Sequence, residues 1–275
     1  MFIYRSKKTN ARFPWTAGAV SALMLSLSLT MGGCVSTGSN TSPHLDETKA
    51  QAAAVISRIN EINAALPSTI RCNVSVSGMM EKRPFKADGK ASMSREPQRA
   101  RIQLRDPIFL APALEIYADS SLIKFYFPVE RVARITRGNF TDLSLSGRGE
   151  TRFLIAWMFS GEIPLIKNFS VRTVSEEGEA LILVIENDSV EQHIVMKKGN
   201  PYEITLLNKV SGLHYRVRYG QLYTSGERMF FRNIHAWSRT TGDRVNVYYS
   251  DLRFDRQIKA SDFSLDIPPD VTLIR

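Results

Sequence analysis

From residue 70 onward the chain is a succession of short segments rich in β-branched and aromatic residues, cut apart by turn dipeptides. This pattern restricts the fold more than any other feature. The candidate strands are Asn73–Ser77, Phe85–Ser94, Arg99–Leu104, Leu114–Ala118, Leu122–Pro128, Arg131–Thr136, Phe169–Val174, Ala180–Glu186, Glu191–Lys197, Pro201–Leu207, Tyr215–Tyr223, Met229–Ser238, Arg244–Asp255 and a final Phe263–Ile267. Asp119-Ser120, Glu177-Gly178, Asn187-Asp188, Gly199-Asn200 and Gly242-Asp243 supply turn chemistry between them. Most connections are too short for a crossover helix, so one large antiparallel sheet, strongly curved, is the economical solution. The absence of βαβ spacing and of a Gly-rich phosphate loop disfavours a doubly wound nucleotide fold.

Two segments depart from this pattern. Asp46–Leu66 reads as a helix. Val55, Ile59, Ile62 and Leu66 recur at spacings of four, three and four, which is one helical face, and Pro67 stops the run. Gly149–Lys167 (GETRFLIAWMFSGEIPLIK) is too densely apolar for a solvated helix and too short to cross a bilayer. It is expected to be a short helix buried against the concave face of the sheet. The expected fold class is therefore α+β, with about 11 or more strands and two helices, N-terminal and mid-chain, over the concavity.

The first 33 residues hold Arg5, Lys7, Lys8 and Arg12, no acidic residue, and an uncharged apolar run from Trp15 to Met31. Basic flank, apolar core and small residues at the end are the parts of an export signal. Met31-Gly32-Gly33-Cys34 resembles the bacterial lipobox, with Met where Leu is most frequent. The resemblance implies a diacylglycerol on the Cys34 thiol, cleavage before Cys34 and acylation of the new amino group. Two or three acyl chains make a stable anchor, where one is marginal. The expected organisation is a signal peptide at 1–33, an acylated Cys and polar tether at 34–45, and a single domain at 46–275. Of 36 basic and 27 acidic residues, four basic ones leave with the signal, and the formal charge falls from +9 to about +5.

With that reduction the charge no longer argues for nucleic acid as a partner. Arg216 and Arg218 alternate with Tyr215, Val217 and Tyr219, a pattern that suits phosphate binding with base stacking, a solvated sheet face or contact with anionic lipid headgroups alike. His44, His193, His214 and His235 are scattered, without metal-ligand spacing, and no nucleophile elbow is present. Cys72, the second of two cysteines, reads as a buried small residue. No metal, no cofactor and no enzymatic activity are expected.

The order of elements is lipobox, one amphipathic helix, strands, an apolar segment and more strands. It resembles that of the LolA/LolB-like superfamily of periplasmic carriers and outer-membrane lipoprotein receptors, within a poorly characterised lipoprotein branch. The stretches that carry the likeness are Phe85-Lys86-Ala87-Asp88-Gly89-Lys90, Arg101 to Arg105 with Pro107, Ile123 to Val132 with its Phe125-Tyr126-Phe127-Pro128 core, and Phe263-Ser264-Leu265-Asp266-Ile267-Pro268. The resemblance implies an incomplete (half) barrel whose helices cover a hydrophobic cavity for acyl chains of a lipoprotein or lipid. Cavity candidates are Val55, Ile59, Ile62, Phe125, Phe127, Trp157, Met158 and Phe159. It also implies a protruding membrane-insertion loop, matched here by Asp106–Pro112 with Ile108, Phe109 and Leu110 between two prolines. The expected place is the bacterial outer membrane, lipid-anchored with the body in the periplasm, and the expected role is lipoprotein or lipid trafficking or envelope biogenesis. The alternative is a non-catalytic assembly lipoprotein that uses the same fold to bind an envelope protein or surface polymer. The longer C-terminal half and the wider spread of Arg depart from the best-known receptor.

Overall fold

A computed structural model describes residues 43–80, 82–137 and 161–274. One α-helix, α1 (Pro43–Ala64), precedes thirteen strands: β1 (Thr69–Met80), β2 (Arg83–Arg95), β3 (Gln98–Arg105), β4 (Pro112–Asp119), β5 (Leu122–Phe127), β6 (Val132–Arg137), β7 (Ser170–Glu177), β8 (Ala180–Glu186), β9 (Val190–Lys197), β10 (Asn200–Asn208), β11 (His214–Ser225), β12 (Arg228–Ser238) and β13 (Arg244–Phe254). A single 3₁₀ turn at Ala260–Phe263 and a short β14 (Thr272–Ile274) follow.

All strands belong to one sheet in the order β14-β6-β5-β4-β3-β2-β1-β13-β12-β11-β10-β9-β8-β7. Two meanders, β1–β6 and β7–β13, are therefore joined along one antiparallel seam, where Val74 faces Tyr249 and Val76 faces Val247. Each hairpin is local, and the turn residues account for its position. Asp119 accepts from the backbone N–H groups of Ser121 and Leu122 between β4 and β5, and Asn187 does the same for Ser189 and Val190 between β8 and β9.

The expected half barrel is not what forms. Among the described residues the sheet is open, with β14 and β7 as its two edges, and it does not curl back to bring them together. It is also mixed, because β14 runs parallel to β6, with Thr272 opposite Val132. Closure or near-closure requires the first and last strands of the order to approach each other, and neither meander supplies a strand that does so. Among the described residues α1 is the one α-helix. The expected mid-chain helix is absent where the chain is described: residues 161–169 form no regular element, and Gly161 (φ +68) and Pro164 are both unsuited to a helix interior. The remainder of that segment lies outside the described residues. The final expected strand, Phe263–Ile267, is instead the end of the 3₁₀ turn and irregular chain, and pairing resumes only at Thr272.

The strands alternate between two environments with period two. Ile70, Cys72, Val74 and Val76 of β1 are buried with Ala100, Ile102 and Leu104 of β3 and with Tyr215, Val217 and Tyr219 of β11. The helix lies on this inner face. It crosses the strands: Gln51 donates to Glu176 at the end of β7, Arg58 to Asn200 at the start of β10, and the Ala65 carbonyl accepts from Met229 N at the start of β12. That path is about 20 Å of helix, close to five strand spacings. Gly89 in β2 marks a close approach: a Cβ there would stand 1.8 Å from the carbonyl oxygen of Gln103. On the other face, the 3₁₀ turn covers β3 with buried Phe263, and Asp262 pairs with Arg71.

Candidate functional site

The inner-face site starts from α1. Val55, Ile59 and Ile62 point from one side of the helix into the common core, all nearly or fully buried. Phe125 of β5 is buried in the same cluster and Phe127, half-buried, packs against it. Between helix and sheet runs a strap of chain, residues 161–166, with Ile163 and Ile166 buried. Two amide side chains hold it. Asn63 of α1 donates to the Ile163 carbonyl and accepts from Ile163 N, both at 2.8 Å. Gln192 of β9, 0% exposed, donates to the Pro164 carbonyl (2.7 Å) and accepts from Ile166 N (3.0 Å). A strap without secondary structure must find partners for its backbone, and these two residues supply them. Sequence reasoning missed both. The signal was present for Gln192, a polar residue in the inward register of Val190, Ile194 and Met196.

Loop 106–111, between β3 and β4, presents the opposite chemistry. Ile108, Phe109 and Leu110 are 80, 79 and 68% exposed. The loop is nonetheless tied: the Asp106 carboxylate accepts from Ile108 N and Phe109 N at 2.8 Å, and the Asp106 carbonyl accepts from Leu110 N at 2.9 Å. Leu110 is held at φ +54, a region costly for a side chain with a Cβ. Asp106 is a third residue whose role sequence reasoning missed, although Asp before Pro and two free N–H groups is a turn signal.

Titratable groups do not assemble a reactive centre among the described residues. Burial pushes the Cys72 thiol up to about 12, which keeps it protonated. The carboxyl of Glu191 is held below its usual range by the hydrogen bond with His193. His214 is pushed down by burial and by Arg239, Arg216 and His193. His235 bonds Asn246 at 2.8 Å. No group of three His, Cys, Asp or Glu residues there could hold a metal ion.

The outer face carries a ladder of stacked cations. Glu203 receives Arg216 at 3.3 Å and Arg218 at 2.8 Å. Both guanidinium groups lie over the Trp237 ring, at 5.1 and 5.5 Å from its centroid, and Arg218 and Lys197 lie over Tyr202 at 5.2 and 4.2 Å. Beside the ladder is a groove of about 350 Å³ floored by Ala180, Ile182 and Val195.

The described fold is similar to that of several solved structures. A LolA superfamily protein from Nitrosomonas europaea superposes with TM-score 0.50 at 13% identity, over 77% of this chain and 97% of that one. The fold is similar to that of this LolA superfamily protein. A domain of a putative outer membrane lipoprotein-sorting protein from Vibrio parahaemolyticus gives TM-score 0.51 at 11% identity, over 79% and 96%. A DUF1329 family protein from Desulfovibrio piger gives 0.51 at 10%, over 79% and 97%. No protein-family model and no curated protein sequence matches the chain. In this LolA-like fold, Val55, Ile59, Ile62, Phe125 and Phe127 share the inner-face core, while Ile108, Phe109 and Leu110 stand in solvent at the turn between β3 and β4. Cys34, Trp157, Met158 and Phe159 lie outside the described residues.

Proposed function

We propose that this chain is a lipid-anchored envelope protein that takes acyl chains of a lipoprotein or lipid against its apolar inner face and exchanges them with a membrane. The observation that carries the reading is the apolar triplet Ile108-Phe109-Leu110, held out into water by Asp106. Exposing three large apolar side chains in a braced loop is costly in water and useful at a bilayer. The LolA-type fold and the kinship of one neighbour with lipoprotein sorting support it. In this reading Cys34 carries the anchor, the membrane is the outer membrane and the body faces the periplasm. Val55, Ile59, Ile62, Phe125 and Phe127, with Trp157, Met158 and Phe159, contact the acyl chain. No bond is made or broken. Each buried methylene contributes about 0.8 kcal/mol, and transfer proceeds toward the acceptor that binds the lipid better.

Native mass spectrometry of the purified protein is expected to show a co-purifying lipid, and lipid-free protein that takes up no fatty acid would refute the reading. Phe109→Glu is expected to abolish delivery to vesicles while soluble lipid binding stays intact. Loss of both would make Phe109 part of the cavity instead.

The groove and the stacked cations on the outer face favour a second reading, an assembly lipoprotein that binds an envelope protein or surface polymer there. It predicts that Trp237→Ala abolishes partner binding and leaves lipid uptake unchanged.

A further inference from the structure

Among the described residues, the large apolar side chains that stand furthest into solvent are Ile108, Phe109, Leu110, Val129 and Val210. All five sit in turns at the same end of the strands, those of hairpins β3–β4, β5–β6 and β10–β11. The turns at the other end are Glu96-Pro97, Ser120-Ser121, Gly178-Glu179, Lys198-Gly199 and Gly226-Glu227, and none contains a large apolar residue. Single exposed apolar residues scattered over a surface need no explanation. A set confined to one end of the strands does.

Two of the three turns are neighbours. β4 pairs with β5 so that Glu115 faces Tyr126, and the same register continued brings Pro112 and Val129 level. Loop 106–111 and turn 128–131 therefore stand about two strand spacings, roughly 10 Å, apart. The second turn is also braced. The Arg131 carbonyl, at φ +53, accepts from Thr272 N at 3.0 Å, and the Arg131 side chain pairs with Asp270. Val129 is 71% exposed on this support.

We propose that the β5–β6 turn, through Val129, is a second contact with the bilayer interface beside loop 106–111. This rests on the lipid-trafficking reading above and adds a site to it. The occupant is lipid because the exposed apolar side chains are few and confined to the tips of two short turns. A stable protein partner requires a continuous patch of roughly 800 Å² a side, whereas a bilayer interface accepts projecting apolar groups one by one. In the lipid-anchored reading, Cys34 lies only nine residues before Pro43 and so keeps the body at the membrane. Val210 is set apart from the pair. β11 is five strand steps from β3, and at about 20° of twist per step its turn points roughly 100° away.

The test uses the acylated protein in vesicles of phosphatidylethanolamine and phosphatidylglycerol, with a polarity-sensitive fluorophore on single cysteines. Cys72 is buried and protonated, so it stays unlabelled. The labelled variants are Phe109→Cys, Val129→Cys, Val210→Cys and Ser120→Cys. Positions 109 and 129 are expected to shift to the blue and to resist an aqueous quencher on vesicle addition, while 210 and 120 do not change. A shift at 109 alone overturns the second contact and leaves the loop reading standing. No shift at either position overturns both. A blue shift at 129 without vesicles that grows with protein concentration overturns the proposal in favour of self-association.

Discussion

Gln192 occupies an inward position of β9 where its neighbours in register are apolar, and both ends of its amide, one as donor and one as acceptor, bond the 161–166 strap. Replacing it with Ala leaves Ile166 N and the Pro164 carbonyl buried without partners. At about 1–3 kcal/mol for each orphaned group, Gln192→Ala is expected to lower stability by roughly 2–6 kcal/mol, read from urea unfolding. His214 acts through protons. Burial and the nearby Arg239 and Arg216 hold it below its ordinary value, so the folded state binds its proton less readily than the unfolded chain does. Its contribution is present above an unfolded value of about 6.5 and is lost as pH falls toward the depressed folded one. The wild type is therefore expected to lose thermal stability as pH falls below about 6.5, and His214→Gln to lose less over the same range. Equal losses would remove His214 from the account. Both residues show what a sequence leaves legible at this scale. The odd polar residue in an apolar register can be seen in the string, but its partner strap, some 28 residues away, cannot.

At the level of elements, loop 106–111 depends on a single carboxylate. Asp106→Ala removes the acceptor of two backbone N–H groups, a loss comparable to a helix cap at about 1 kcal/mol. Hydrogen exchange at Ile108 and Phe109 is expected to accelerate several-fold while exchange in β3 and β4 stays unchanged; acceleration throughout the hairpin would show that Asp106 supports the strands as well. The strands themselves were nearly all readable, from Phe85–Ser94 to Arg244–Asp255, because alternation and turn dipeptides are local signals. What was not readable is instructive in physical terms. Gly149–Lys167 has a helix-like density of apolar residues, yet its described end is a strap, since Gly161 and Pro164 set the backbone there and side chains of other elements satisfy it. Phe263–Ile267 alternates like a strand but begins in a 3₁₀ turn packed over β3, and the three residues that do pair, Thr272–Ile274, follow Pro268 and Pro269 with little pattern of their own. The exposure of Phe109 was equally undecidable from composition, because an apolar triplet between prolines suits a core or a tip.

Across the whole described domain, the two meanders meet only where β1 pairs with β13. Gly78 sits at that seam, where an added Cβ would stand 2.1 Å from the Arg244 carbonyl oxygen, so the joint has no room for another side chain. A charge inside it, as in Val247→Asp, is expected to unfold strands of both meanders in one transition and to lower stability by at least about 3 kcal/mol, the scale of an unpaired buried charge. Fluorescence probes placed in β4 and β10 check this, and separate midpoints for the two would show independent halves. The open edges at β7 and β14 belong to the same scale, as does the error of expecting a barrel. Whether a sheet closes is decided by the pairing of its most distant strands, and no local pattern encodes that. The seam also has a consequence in time. Ile70 meets Phe254, about 180 residues later in the chain, so β1 has no permanent neighbour on that side until β13 has emerged. Contacts of such long range form slowly. A chain built this way stays unfinished while it is being made, and unfinished is the state in which a polypeptide can still be threaded through a narrow pore.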